Sequence, residues 1–407
     1  KGSCMLTLEK FEEAAEKVRQ VTQETKLIYS AYYSEATGNR VWFKPENMQR
    51  TGAYKVRGAH YKISTLTDEE RSRGLITASA GNHAQGVAYA AQKFGTKATI
   101  VMPTTTPLIK VERTKAYGAD VVLAGGVYDE ACEHAYRLAD EHGYTFIHPF
   151  NDLTVATGQG TIAMEIVQEL PLVEYILVPI GGGGLATGVS ALAKLLNPNI
   201  KVIGVEPAGA ACMKASFAAG EVVKLDHANT IADGTAVLEP GDKLFPYLRD
   251  NLDDIVTVED DELIVAFLDM VENHKTVVEN SGLLTVAALS HLGVRDKKVV
   301  SILSGGNMDV ITMSSVVQRG LIMRDRIFTV SVLLPDRPGE LVRVAETVAN
   351  SNGNVIRLDH NQFVCANRNA AVELRLTIEA FGHDHKYQIV QALKDAGLET
   401  EIIQTQL

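Results

Sequence analysis

Short apolar runs, each followed by a stretch of helical spacing, recur through residues 75–303 and leave few folds open. Strands are predicted at 75–78, 98–102, 120–123 and 144–147, with helices over 87–94, 108–117 and 128–142 between or after them. A second block repeats the pattern. It predicts helix 157–169, strand 175–180, helix 187–196, strands 202–205 and 255–258, helix 262–272 and strand 298–303. Fully apolar strands alternating with helices of this length predict parallel, doubly wound sheets. Two such blocks predict an α/β protein of two lobes with a cleft between them. Ahead of them, Leu8, Phe11, Ala14, Ala15, Val18 and Val21 fall near helical spacing, residues 40–44 form a short strand, and Thr67 with Glu70 marks a helix start.

The style changes after Arg326. An alternating strand (328–334), the turn Asp336-Arg337-Pro338-Gly339, an amphipathic helix (340–351), two strands (353–360 and 371–380), a helix (384–396) and a last strand (399–403) follow. That βαββαβ order predicts a separate ferredoxin-like domain joined near 320–326.

Composition narrows the function classes. The 407 residues are 46% apolar and 22% charged, as expected of a globular protein with full-sized cores. A formal charge of −11 without a basic run argues against nucleic acid as a partner. No apolar stretch is long enough for a membrane span, and the N-terminus lacks the pattern of a secretory signal. Cys4, Cys132, Cys212 and Cys365 are far apart and contain no CxxC pair, so reduced thiols and a cytoplasmic location are expected. Lys1 to Cys4, ahead of Met5, are set aside as a remnant of expression.

The chemistry gathers in loops that follow the strands, where open parallel sheets bind ligands. In Thr51-Gly52-Ala53-Tyr54-Lys55-Val56-Arg57-Gly58, small residues lead a lysine into helix-permissive sequence. A helix N-terminus and burial both lower a lysine pKa towards the range of a nucleophile or base. The plainer alternative is a solvated lysine in a helical turn. Four consecutive glycines and a leucine (Gly181, Gly182, Gly183, Gly184, Leu185) follow the 175–180 strand and precede a helix. Their unshielded N–H groups suit a phosphate. A flexible turn or a dinucleotide pyrophosphate remain alternatives, the latter weakened because the spacing is not GxGxxG, although Glu206 does follow a strand about twenty residues on. Ser79-Ala80-Gly81-Asn82-His83 can hold a small carboxylate with a hydroxyl, an amide and free N–H groups, or can simply cap a helix. Ser304-Gly305-Gly306-Asn307 places a hydroxyl at another strand end, or forms an ordinary turn.

Taken together, the lysine motif, SAGNHAQG, the tetraglycine loop and SGGN resemble the threonine dehydratase (threonine ammonia-lyase) family. These are pyridoxal-phosphate enzymes of the tryptophan synthase β-like fold, fold type II, whose neighbours include serine dehydratase, serine racemase and cysteine synthase. The resemblance implies a catalytic domain over 5–324, with a large lobe at about 5–54 and 156–324 and a small lobe at about 55–155. Residues 326–407 resemble an ACT regulatory domain. It also implies residue roles. Lys55 carries pyridoxal 5'-phosphate covalently and then acts as general base. Gly181, Gly182, Gly183, Gly184 and Leu185 bind the phosphate. Asn82 meets the ring hydroxyl, Ser304 faces the ring nitrogen, and Tyr54 and Glu279 lie beside the ring. Ser79, Ala80, Gly81, Asn82 and His83 hold the substrate carboxylate, so Lys55, Ser79 and Ser304 form the catalytic set.

Racemases of the family carry a serine at position 80, where this chain has Ala80, so dehydration is favoured. Glu206 matches one residue of a divalent-metal site, but Cys212 stands where a second carboxylate would be. No metal is therefore expected, and a monovalent cation stays open. Pro338, Gly339 and Asn354 match the effector loops of ACT domains, which implies control by an amino acid such as isoleucine or valine. A purely dimerising module is the alternative. The expected activity is L-threonine to 2-oxobutanoate and ammonia, with L-serine as second substrate, in a homodimer or homotetramer. A serine racemase, a hydroxyaspartate dehydratase and a non-catalytic amino-acid sensor remain alternatives.

Overall fold

A computed structural model describes residues 6–362 and 371–406; Cys4 and Cys365 lie outside the described residues. Contacts divide the chain into two compact units, Lys1–Met308 and Asp309–Leu407.

The first unit holds two sheets. Its strands in chain order are β1 (Ile28–Ser30), β2 (Arg40–Pro45), β3 (Leu75–Ala78), β4 (Ala98–Met102), β5 (Asp120–Leu123), β6 (Thr145–Phe146), β7 (Tyr175–Pro179), β8 (Lys201–Pro207), β9 (Asp254–Val258) and β10 (Lys298–Leu303). The six-stranded sheet runs β1-β2-β10-β7-β8-β9, parallel except for β1 against β2. The four-stranded sheet runs β5-β4-β3-β6 and is parallel throughout. Both match the α/β expectation. β3, β4 and most of β7 and β10 are buried, which is why they read as continuous apolar runs.

Four loops at the carboxyl ends of β3, β6, β7 and β10 build the region described below. Three helices begin earlier than their sequence suggests. The helix expected from 87 starts at Asn82, and the one expected from 187 starts at Gly184. Their N-cap positions are Gly81 and Gly183, and neither helix has a side-chain cap. The sequence therefore carries no start signal there. The helix expected from 157 begins at Leu153, because Asp152 accepts from the Thr154 and Val155 N–H groups at 2.8 and 3.0 Å. Thr67 and Glu70 do form the expected capping box. Short elements without strong periodicity, such as Ala31–Thr37, Cys212–Ala219 and Asn280–Ala287, were not anticipated.

The second unit opens with the helix Val310–Met323, followed by β11 (Ile327–Leu334), helix Glu340–Asn350, β12 (Asn354–Asn361), β13 (Val372–Glu379), helix His383–Asp395 and β14 (Glu399–Ile403). The sheet order is β12-β13-β11-β14, antiparallel, over a core that includes Val330, Val332, Val344, Leu376 and Ile389. This is the βαββαβ arrangement read from the sequence.

Candidate active site

Lys55 is the first residue of the helix Lys55–Ser64, with Tyr54 at its N-cap. The preceding turn is stitched to the loop after β10. Tyr54 N–H donates to Ser304 O at 3.1 Å, Gly306 N–H donates to Gly52 O at 2.8 Å, and Ala53 and Gly305 form an antiparallel bridge. Gly52 sits at φ +75°, and a Cβ there would lie 2.3 Å from Asn307 Oδ1. Only glycine satisfies both the backbone and the packing. The lysine and Ser304 are therefore placed side by side by backbone pairing, with Ser304 buried at the end of β10.

The Lys55 amine donates to Pro149 O at 2.7 Å and lies 5.4 Å from the centre of the Tyr54 ring. Burial lowers its pKa to about 8, only partly offset by the negative charge of Glu279. A substantial neutral fraction at neutral to mildly alkaline pH follows. Burial, then the Glu279 charge, pushes the Tyr54 phenol up, so it stays protonated. Burial also raises Glu279 to about 7, with Asp233 adding to the rise and the Asn82 hydrogen bond opposing it.

Glu279 is held from two sides. Its N–H donates to Gly305 O at 3.0 Å, and its Oε1 accepts from Asn82 Nδ2 at 2.6 Å. A Cβ on Gly305 would fall 2.2 Å from that oxygen. Asn307 Nδ2 closes the network, donating to Asn82 Oδ1 at 2.8 Å and to Thr51 O at 2.7 Å. Asn82, Glu279, the Lys55 turn and the Ser304 loop thus form one hydrogen-bonded group.

Ser79, Ala80 and Gly81 occupy the turn between β3 and the helix Asn82–Lys93. Ser79 Oγ accepts from Gly81 N–H at 3.2 Å. The first helical bond to Gly81 O comes from Gln85, so the N–H groups of the preceding turn have no helical partner. The His83 side chain points elsewhere. Its Nε2 meets Ile147 O at 2.8 Å, and burial, then the Lys55 charge, lowers it to about 3. It is neutral, and of His83 only the backbone remains at the turn.

The tetraglycine turn leads into the helix Gly184–Leu196 with Gly183 at φ +104°. A Cβ on Gly182 would lie 2.2 Å from the Phe150 ring, and one on Gly184 would lie 3.1 Å from Phe150 Cα. Phe150 follows Pro149, the acceptor of the Lys55 amine. One short segment after β6 therefore touches both the lysine and the glycine cradle. His148 Nδ1 accepts from the Phe150 and Asn151 N–H groups at 3.1 and 2.8 Å, and burial with the Lys55 charge lowers it to about 4. Pro149, Phe150 and Asn307 were not singled out from the sequence. The strand-end rule applied to β6 finds the first two; Asn307 closes the SGGN motif already noted.

The arrangement fits pyridoxal phosphate. A side-chain-free turn leaves helix N–H groups for a phosphate, and a depressed lysine amine is available for an aldehyde. A family model described as pyridoxal-phosphate dependent enzyme matches residues 18–305. An L-threonine ammonia-lyase from Thermotoga maritima is 42% identical over 98% of this chain and 100% of that protein. The chain belongs to the pyridoxal-phosphate-dependent enzymes, among the threonine ammonia-lyase relatives.

Solved structures of the family agree. The processed threonine deaminase isoform 2 of Solanum lycopersicum gives a TM-score of 0.74 at 39% identity over 78% of this chain and 94% of its own. Maize serine racemase gives 0.73 at 35% over 78% and 98%.

The remaining sequence-derived candidates are not part of this hydrogen-bonded group. Glu206 accepts from Met213 and Lys214 N–H at 2.7 and 2.9 Å, capping the helix Cys212–Ala219, and its burial raises it to about 7. Among the described residues no cluster of His, Cys, Asp and Glu is arranged to hold a metal ion. Nor is any described helix long and apolar enough to cross a membrane. In the second unit, Pro338 and Gly339 (φ +93°) precede the helix Glu340–Asn350, whereas Asn354 follows it and donates to Glu379 at 3.2 Å. About 16 Å of helix separates Gly339 from Asn354 within one copy.

Proposed function

We propose that this enzyme converts L-threonine to 2-oxobutanoate and ammonia, with L-serine to pyruvate as a slower reaction. The observation that carries this reading is the half-buried Lys55 amine, with a pKa lowered to about 8, tied through Pro149–Phe150 to the glycine cradle. Likeness over the whole chain to a named L-threonine ammonia-lyase supports the choice of substrate.

Bound pyridoxal phosphate supplies an electron sink for the Cα–H bond that breaks. The N–H groups at the start of the Gly184–Leu196 helix would hold its phosphate, Asn82 its ring hydroxyl, and Ser304 its ring nitrogen. Ser304 is uncharged and does not protonate that nitrogen as a carboxylic acid would. Ser79 and the free N–H groups around Asn82 hold the substrate carboxylate. The neutral Lys55 amine would remove the Cα proton as general base. The same lysine, now protonated, returns that proton to the departing β-hydroxyl, which leaves as water. The released enamine hydrolyses to the 2-oxo acid and ammonia. Ala80 offers no proton to the face of Cα opposite Lys55, which favours elimination over racemisation.

On this reading residues 5–324 carry the chemistry and 326–407 sense an amino acid through Pro338, Gly339 and Asn354. The helical separation of Gly339 from Asn354 supports a ligand site shared between two copies, hence a homodimer or homotetramer. Assaying 2-oxo acid release from threonine, serine and 3-hydroxyaspartate, with and without isoleucine and valine, tests the reading. Threonine is expected to be the best substrate; absence of 2-oxobutanoate from the cofactor-loaded enzyme would reject it.

A further inference from the structure

Four helices carry the site residues at or just before their N-termini, and they pack in a row. In order they are Asn82–Lys93, Lys55–Ser64, Leu153–Glu169, which follows the Pro149–Phe150 segment, and Gly184–Leu196, which opens on the glycine cradle. Each neighbouring pair meets at a glycine in a helix interior. A Cβ on Gly86 would lie 3.0 Å from Val56 N, one on Gly158 2.8 Å from Arg57 O, and one on Gly188 2.6 Å from Gly160 N. From the opposite sides of the last two crossings, a Cβ on Gly58 would lie 2.7 Å from Val155 O, and one on Gly160 2.6 Å from Gly188 O.

All five glycines lie within helices, where glycine is less favourable than alanine. What they provide is close approach. The atoms they meet are main-chain atoms, which cannot rotate aside as a side chain can. The separation of two helices follows the side chains at their contact, so a crossing without one brings the backbones together. Polar side chains then fix the middle crossing. The Lys55–Ser64 helix has no side-chain cap, and its Gly58 N–H donates across to Gln159 Oε1 at 2.9 Å. Gln159 stands between Gly158 and Gly160 and is 1% exposed. On the same two helices Lys62 pairs with Asp152 at 2.7 Å, and Arg57, which grips buried Glu46 with two bonds of 2.8 Å, meets Thr161 Oγ1 at 3.1 Å.

We propose that this row sets the span between the Lys55 amine and the glycine cradle, so that one cofactor is held at both ends. Gly58, Gly158, Gly160 and Gly188 are then positioning residues for pyridoxal phosphate. Lys55 opens the second helix and Gly184 the fourth, with the Leu153–Glu169 helix between them. A methyl group added at Gly160 or Gly188 pushes the cradle away from the lysine. One added at Gly86 pushes the Asn82 helix away and leaves the span from lysine to cradle as it was. The inference rests on the cofactor and not on which amino acid the enzyme processes.

Pyridoxal, which has the aldehyde and the ring hydroxyl but no phosphate, separates the two ends. The full chain, freed of cofactor, is titrated with pyridoxal phosphate and with pyridoxal, and the visible absorbance that arises when the aldehyde joins Lys55 reports binding. The parent should prefer the phosphate form. In Gly160→Ala that preference should fall at least about tenfold, the loss of about one charge-assisted hydrogen bond, while pyridoxal binding stays within about threefold of the parent. Gly86→Ala should weaken both aldehydes by a similar factor and keep the preference within about threefold of the parent. A crossing that served folding alone would lower the melting temperature and leave the preference untouched. Should Gly160→Ala fail to fold, Gly160→Ala with Phe11→Leu removes its other near neighbour, the Phe11 ring, and keeps the push on Gly188. An unchanged preference in the Gly160 variants, or an equal fall of the preference in Gly86→Ala, would overturn the proposal.

Discussion

Lys44 is buried and Lys55 half-buried, both have pKa values lowered by burial, and Lys44 lies beside the helix that Lys55 begins, through the Glu165 it shares with Arg57. Their surroundings differ. Lys55 has one carbonyl partner, with helix N–H groups and a glycine cradle nearby; Lys44 has two carboxylates near it and the Arg57–Glu46 pair behind it. Burial lowers Lys44 too, but Glu165 and Glu46 oppose the shift there, whereas Glu279 alone opposes it at Lys55. A depressed lysine marks chemistry where burial outweighs the nearby anion, as it does beside Glu279, and where the neighbourhood offers a place for an electrophile.

The largest expected contrast is in turnover. Lys55→Ala should reduce threonine conversion by roughly 10³-fold or more, since base and covalent anchor are lost together. Lys44→Met should leave turnover within about threefold of the parent, an interval of under 1 kcal/mol. Steady-state 2-oxobutanoate formation measures both, and comparable losses would erase the distinction. Next comes stability. Arg57→Ala strands Glu46, which is wholly buried, and should cost about 3–5 kcal/mol in a thermal or urea melt. Replacing both partners with apolar residues of similar size should recover much of that. If Arg57→Ala alone is neutral, the pair is not the support of the helix behind Lys55.

How much of this could be read from the sequence follows the same division. Buried strands such as Leu75–Ala78 and Lys298–Leu303 were found because continuous apolar runs leave no alternative register. The starts of the helices at Asn82 and Gly184 were missed because their N–H groups carry no capping side chain, and capping residues are what a sequence displays. The omission is itself informative: uncapped N-termini after strands are where a ligand can bind. Lys55, Ser79, Asn82 and Ser304 were legible as loop chemistry, whereas the Asn82–Glu279 bond spans 197 positions and has no local trace. The Lys44 ion pairs had none either, since Glu165 and Glu169 lie on a distant helix.

A smaller effect separates the two lysines through pH. In the cofactor-free protein the Lys55 pKa is lowered to about 8, so the folded state binds fewer protons than the unfolded state between about 8 and the ordinary lysine value. The penalty for burying its charge is present below pH 8 and fades as pH rises through that window. Lys55→Met should therefore stabilise the cofactor-free protein by about 1–2 kcal/mol near neutral pH, with the advantage shrinking above pH 8. Urea melts across that range measure it; an advantage that grows with pH would contradict the sign.

The finest test concerns Glu279, whose charge raises the Lys55 pKa against burial. Reaction of the cofactor-free protein with pyridoxal phosphate needs the neutral amine. Its rate should therefore rise about tenfold per pH unit below 8 and level off above it. Glu279→Gln keeps an amide oxygen for Asn82 but removes the anion, so the half-point should move below that of the parent by less than about one unit. Lys44 has no part in this titration, and Lys44→Met should leave the half-point where it was. A half-point that moves with Lys44 and not with Glu279 would mean that the two sides of the helix share one electrostatic environment, and the contrast between the two lysines would then have to be argued from geometry alone.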